Sequence, residues 1–287
     1  MPPDTAHWRL VAWPAAALAV VVAMFCGTAR ADSRLAVHYS VSVAGIAIGM
    51  TDVDVAIGET EYTSSATGRA SGMLRALVTG EGVISARGAV IDGRLVPASF
   101  SLSTTGEDET SAVRMTLNGG DVKDLTAETS APDAERVPLT AEHRKGIVDP
   151  LSALLIEVHG TGDVVAPDAC QRTLPIFDGR RRFDLALSFK RIEQVKAKRG
   201  YAGPAVVCAV AFKAIAGHRV GSPLVKYLSS GREIELTLAP IAGTRLLAPF
   251  RLSIANLLGN MVIEATEFDV SSQPAIRAAL SAAATPR

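Results

Sequence analysis

The densest chemistry in the chain lies at Asp178, Gly179, Arg180, Arg181, Arg182, Phe183 and Asp184. Three consecutive guanidinium groups beside an Asp-Gly turn make a candidate anion contact, because the arginine fork matches the paired oxygens of a carboxylate or phosphate. The same run also reads as a charged hairpin end, with Asp178 and Asp184 as local counter-ions. Asp149, Asp178 and Asp184 are the carboxylates that could serve as general acid and base on a polysaccharide or lipid. No nucleophile motif accompanies them. A serine hydrolase needs Gly-x-Ser-x-Gly, and Gly68 to Gly72 has the glycine spacing but puts Ser71 one position late. His38, His143, His159 and His218 stand apart in sequence and offer no paired metal ligands, so no metal site is expected. The glycines fall in turns and not before a helix, which argues against a phosphate loop or dinucleotide fingerprint, and no cofactor is expected. No catalytic residue is assigned.

The cysteines point to a compartment. After Arg9 the chain runs uncharged from Leu10 to Thr28 and then reaches Ala29, Arg30 and Ala31, an Ala-x-Ala cleavage pattern. Residues 1–31 therefore read as a cleaved signal peptide with the mature chain starting at Asp32, which predicts a periplasmic protein with no membrane span after cleavage. Pro14 interrupts the apolar run, and Ala dilutes it, against a retained anchor. Phe25 before Cys26 lacks the small side chain that lipidation of that cysteine requires. Loss of the leader leaves Cys170 and Cys208, and an even pair in an oxidising compartment is expected to form a disulfide. The expectation places both cysteines on strands, the bridge pinning two sheet segments from within.

The elements that must position these groups are strands. Val37, Tyr39, Val41 and Val43 alternate with His38, Ser40 and Ser42, the period of a half-buried strand. The same alternation recurs at Val53 to Ile57, Phe100 to Leu102, Val113 to Leu117, Val206 to Phe212 and Ile234 to Leu238. It is clearest at Phe183, Leu185, Leu187 and Phe189, the candidate ligand-facing residues. Asp92-Gly93, Asn118-Gly119, Asp178-Gly179 and Gly259-Asn260 are the expected turns. One helix is predicted from Asp149 as N-cap and Pro150 through Leu151, Leu154, Leu155 and Val158, and a shorter one at Met73, Leu74, Leu77 and Val78. Residues 129–144 read as a linker between two halves of the sheet, and 271–287 as a frayed or weakly helical tail. The fold class is thus mainly β: an antiparallel meander over 32–270, one domain, curled into a sandwich, open barrel or spiral because so few helices cannot cover it.

The 29 basic residues balance 29 acidic ones, so no global field gathers nucleic acid. Tyr39 with Gly45 and Gly49, Asp149 to Ser152 with Leu154, Cys170 with Phe177 to Arg180, Gly200, Tyr201, Gly203, Pro204 and Cys208, and Ala239 with Pro240 together resemble the proteobacterial family of exported proteins labelled domain of unknown function 3108. The resemblance implies an exported β-rich envelope protein and supplies no catalytic residue to carry over. By analogy of fold it is similar to curved-sheet envelope proteins, some of which hold lipid or lipoprotein acyl chains. The expected function is a non-enzymatic envelope protein holding a lipid or other apolar ligand in its sheet. The alternatives are an enzyme on envelope polysaccharide or lipid, and an assembly module pairing through a strand edge.

Overall fold

The computed structural model describes residues 32–70, 80–106, 110–128, 135–255 and 259–273; the expected signal peptide, the expected helix at Met73 to Val78 and most of the expected tail lie outside them. Seven strands form the first meander: β1 (Asp32–Val43), β2 (Ile46–Ile57), β3 (Glu61–Ala70), β4 (Gly80–Ile91), β5 (Arg94–Gly106), β6 (Thr110–Asn118) and β7 (Asp121–Ala127). A second follows: β8 (Ile156–Glu157), β9 (Arg172–Phe177), β10 (Arg182–Lys196), β11 (Arg199–Gly200), β12 (Ala202–Ala216), β13 (Ile234–Pro240), β14 (Leu246–Ile254) and β15 (Met261–Gln273). One helix, α1 (Pro223–Ser229), interrupts it. The strands form one sheet in the order β7-β6-β5-β4-β3-β2-β1-β15-β14-β13-β12-β10-β9, with β8 on β14 and β11 on β15. Pairing is antiparallel except at β11, so the fold is the expected mainly antiparallel meander. β1 and β15 join the two halves through eleven further pairs beyond Asp32 opposite Gln273, and residues 271–273 are thus strand and not frayed tail.

The alternation decides which face is buried. Val113, Met115 and Leu117 are buried while Arg114 and Thr116 are exposed. Val206, Cys208 and Val210 are buried on β12, and Ile234, Leu236 and Leu238 on β13. Two-residue turns close the first hairpins, with positive φ at Ala44 and Gly45 and at Asp92 and Gly93. The turn after β6 is centred on Gly119 and Gly120, one residue later than the Asn118-Gly119 reading, because Asn118 pairs with Asp121.

The outermost strands, β7 and β9, do not pair, yet the sheet curls until they face the same connection. Gly146 donates to Asp121 Oδ1, Ile147 donates to the Gly120 carbonyl, and Val148 bridges Ile176 of β9. Phe177 packs in one cluster with Phe100, Val113, Met115 and Ile147, residues from both sides of that seam. The 129–144 linker, where described, runs beside β12: Val137 and Gly217 or His218 exchange backbone hydrogen bonds, and Glu142–Arg144 is a single 3-10 turn.

The predicted helix at Asp149 is also only a 3-10 turn, Ser152–Leu154. The predicted N-cap chemistry holds: Asp149 Oδ1 accepts from the Leu151 and Ser152 N–H groups at 3.0 and 2.9 Å. The helix ends there because Ile156 is drawn into the core as β8, opposite Leu247. Burial of two β-branched residues, Ile156 and Val158, outweighs a local helix preference. Among the described residues the α-helix that forms is α1, and Ser222 and Pro223 mark its start: Ser222 Oγ accepts from Val225 N–H, and Pro223 takes the first turn.

Candidate functional site

The inner face of the curled sheet is not packed solid. A cavity of about 260 Å³ is lined almost wholly by apolar side chains, among them Tyr39, Val53, Leu151, Leu154, Leu252 and Ile263. A second of about 340 Å³ is lined by Phe100, Leu102, Phe183, Phe212, Leu224 and Leu228, with Asp178, Arg181, Arg182 and His218 at its rim. Ile84 and Pro150 line both, so the Asp149 turn stands between two adjoining apolar spaces. Both open to solvent, where Leu154 is 38% and Leu224 61% exposed.

Local structure explains this arrangement. Pro150 has no N–H to satisfy and projects from a turn held by the Asp149 carboxylate. Ser152 Oγ is 2.7 Å from the buried Tyr62 hydroxyl, which ties the turn to β3. α1 is amphipathic, and Leu224, Val225 and Leu228 form one wall of the larger cavity. Phe183 and Phe212, paired residues' neighbours on β10 and β12, stack with centroids 5.5 Å apart on another wall.

Of the four candidate ligand-facing residues, the structure brings only Phe183 to a cavity. Leu187 is buried in the cluster around Cys170 and Cys208, with Leu185 packed against it. Phe189 is 40% exposed beside a bulge in β10. The arginine run likewise divides. Arg180 turns away into the seam, where its Nη2 bonds Ser111 and the carbonyls of Ala112 and Glu128, so it is a clasp and not an anion contact. Arg182 pairs with Asp184 and donates to the Phe183 carbonyl. Arg181 is exposed at the cavity rim, its backbone N–H held by Asp178 Oδ1. His218, from sequence only an isolated histidine, lines the same rim with Nδ1 buried and unpartnered among the described residues. No spacing signal marks it, because β12 and the arginine turn meet only in the fold.

The disulfide is present between Cys170 and Cys208, with Cα atoms 5.4 Å apart. Cys208 lies on β12 as expected, but Cys170 ends a 3-10 turn, Pro167–Cys170, and not a strand. The bridge therefore staples a connecting loop to the sheet.

Residues 38–266 match the family described as protein of unknown function, DUF3108. The chain belongs to this family. DUF3108 supplies a fold with no assigned activity. No curated protein matches the DUF3108 chain. The fold is similar to the crystal structure of a β-barrel-like protein of domain of unknown function DUF1849 from Brucella abortus, with 11% identity, a TM-score of 0.44, and coverage of 84% of this chain and 98% of that one. Among the described residues, no helix is long and apolar enough to cross a membrane.

The three candidate acid-base carboxylates each hold local structure: Asp149 the Pro150 turn, Asp178 the N–H groups of Arg180 and Arg181, and Asp184 the Arg182 guanidinium. Burial pushes the Asp149 carboxyl above the usual aspartate range, and the N–H donors only partly offset it. A raised folded-state value means the native state binds the proton more tightly than the unfolded chain. The stabilising contribution is then complete below the ordinary value near 4 and is lost as pH rises through the folded value. Asp149→Asn keeps the Oδ1 acceptor and removes the charge. Its melting temperature relative to wild type should therefore climb as pH is raised from about 4 to about 7. A difference that stays flat across thermal melts in that range would show that Asp149 ionises as freely in the fold as in water.

Proposed function

We propose that this protein is a non-enzymatic binding protein of the cell envelope, exported to the periplasm, that holds the acyl chain of an anionic amphiphile on the inner face of its sheet. The observation that carries the reading is the pair of adjoining apolar cavities with Arg181 and His218 at one rim. An apolar trough with a few convergent polar groups at one end is the form that small-ligand sites take. A cavity of 340 Å³ sits at the lower end of the roughly 300–1,000 Å³ that such sites span. The side chain of Arg181 is exposed and has no ion pair among the described residues, so it can meet a carboxylate or phosphate, while Arg182 already has Asp184. Export is supported by the leader-like sequence of residues 1–31 and by the bridge between Cys170 and Cys208.

The test is titration of a fluorescent fatty acid into protein purified from cells expressing the full chain. Saturable binding is expected. Leu154→Trp should abolish it by filling the smaller cavity, and Arg181→Ala should weaken it by about tenfold, the scale of one hydrogen bond to a charged group. Circular dichroism checks that both variants fold. Wild-type protein that binds no such probe, or variants that bind as well as wild type, would overturn the reading.

A further inference from the structure

The face opposite the core carries a groove of about 900 Å³ whose lining mixes serine, threonine, arginine and aspartate side chains with alanines and the edges of core residues such as Leu35, Val55 and Met115. Strand register shows how it is built. One row of outward residues crosses the first meander from Arg34 on β1 through Thr63 on β3, Arg87 on β4 and Ser99 on β5 to Asp124 on β7. The next row, two residues along each strand, runs through Asp54, Ser65, Ser85, Ser101 and Arg114. All of these line the groove. With strands about 4.8 Å apart, the rows reach roughly 30 Å from β1 to β7, and they lie about 6.7 Å from one another. The result is a long lattice of hydroxyls, carboxylates and guanidinium groups.

Some charges elsewhere on this outer surface pair with each other. Arg251 lies between Glu193 and Glu264, Arg191 pairs with Glu193 and Glu235, and Arg199 pairs with Glu267 and Asp269. The Arg191 and Lys190 side chains hold the Glu235 carboxyl down at about 2. In the groove, by contrast, Arg34, Asp54 and Arg114 have no ion-pair or hydrogen-bond partner through their side chains among the described residues. Arg34, Arg87 and Arg114 line the groove with Asp54, Asp124 and Asp269, the last of them shared with Arg199, so the groove offers little net charge to a polyanion or polycation. The outward residues of the two rows are hydroxyl-bearing, charged or alanine side chains, so the polar groups a ligand meets there are mainly hydroxyls.

We propose that this groove binds a linear, uncharged glycan chain, a site separate from the inner apolar one. A ligand made of hydroxyl groups both donates and accepts at every step. It can therefore use the serine and threonine hydroxyls in either role, the guanidinium groups as donors and the carboxylates as acceptors. The length of the rows fits a chain of sugars and not a single one.

The experiment is isothermal titration of chitotetraose, maltotetraose and cellotetraose into protein purified from cells expressing the full chain, with polyphosphate as the charged comparison. At least one neutral tetrasaccharide should bind saturably. Asp54→Asn and Arg114→Ala should each weaken it by about tenfold, and Ser65→Trp should block it by filling the groove. All three positions are exposed, so the fold should persist, and retained binding of a fluorescent fatty acid checks that separately. Leu154→Trp, on the inner face, should leave glycan binding unchanged. Binding of polyphosphate alone, no binding of any of the three sugars, equal binding by all variants, or a dimer that Ser65→Trp dissociates would each overturn the proposal.

Discussion

Replacing both Cys170 and Cys208 with alanine should lower the melting temperature by about 10 °C, the largest loss expected from any change that leaves the backbone unstrained. The two residues lie 38 positions apart, and closing a loop of that size stabilises the fold by about 4 kcal/mol on the chain-entropy account. Both cysteines are fully buried and pack with Ile156, Val165, Leu187, Val206 and Leu238. Alanine therefore also leaves a small void, which adds to the loss. Leu185 and Phe212 rest against this cluster, and Phe212 in turn lines the larger cavity. Affinity for the fatty-acid probe should fall with stability. Calorimetry of the variant, beside wild type with and without reductant, checks this. A melting temperature within a degree or two of wild type would mean that the loop from Pro167 is held by packing alone.

Gly217→Ala should destabilise the protein by about 3 kcal/mol, combining left-handed backbone strain with overpacking. Gly217 has φ +79°, and a Cβ there would lie 1.9 Å from the Arg180 carbonyl oxygen and 3.0 Å from the Arg181 Cα. All of these are backbone atoms, so no side chain can swing aside. The contact also joins three parts of the site. Gly217 donates to the Val137 carbonyl and its own carbonyl accepts from Arg136, while Arg180 clasps β6 and the end of β7. Pushing the arginine turn off β12 would separate Arg181 from His218. The probe should therefore bind more weakly than the stability loss alone explains, measured at a temperature where the variant is still folded. A variant with wild-type stability would show that the turn moves freely against β12.

Much of the fold was legible because a strand announces itself locally. Alternation of Val113, Met115 and Leu117 with Arg114 and Thr116 has a period of two whatever lies beyond it, and the buried set follows it. Asp92-Gly93 required only that two adjacent residues accept positive φ, and they do. The cysteine pairing followed from counting the two cysteines that lie beyond the expected leader. Where the reading failed, a long-range contact outweighed a local one. The Asp149 cap is real, but its helix gives way to the pairing of Ile156 with Leu247, 91 positions later by subtraction of their numbers.

The candidate site shows the same division more sharply. The sequence by itself determined the residue types, a face of apolar side chains on β10 and three arginines at its end, but not which of them would meet. Phe183, Leu185, Leu187 and Phe189 share one parity, and parity cannot tell a filled interior from an open one. That depends on whether other strands and loops supply matching volume: the Cys170 loop does so over Leu187, and among the described residues nothing packed against Phe183 fills the space it shares with α1 and Pro150. Arg180, Arg181 and Arg182 are adjacent in sequence, yet one closes the seam, one faces solvent at the rim and one pairs with Asp184. His218 joins Arg181 only because β9–β10 and the end of β12 are brought side by side. Closure of the sheet is a property of all its strands at once, since twist accumulates from strand to strand, and so the tertiary structure alone decided where its inner face stays open.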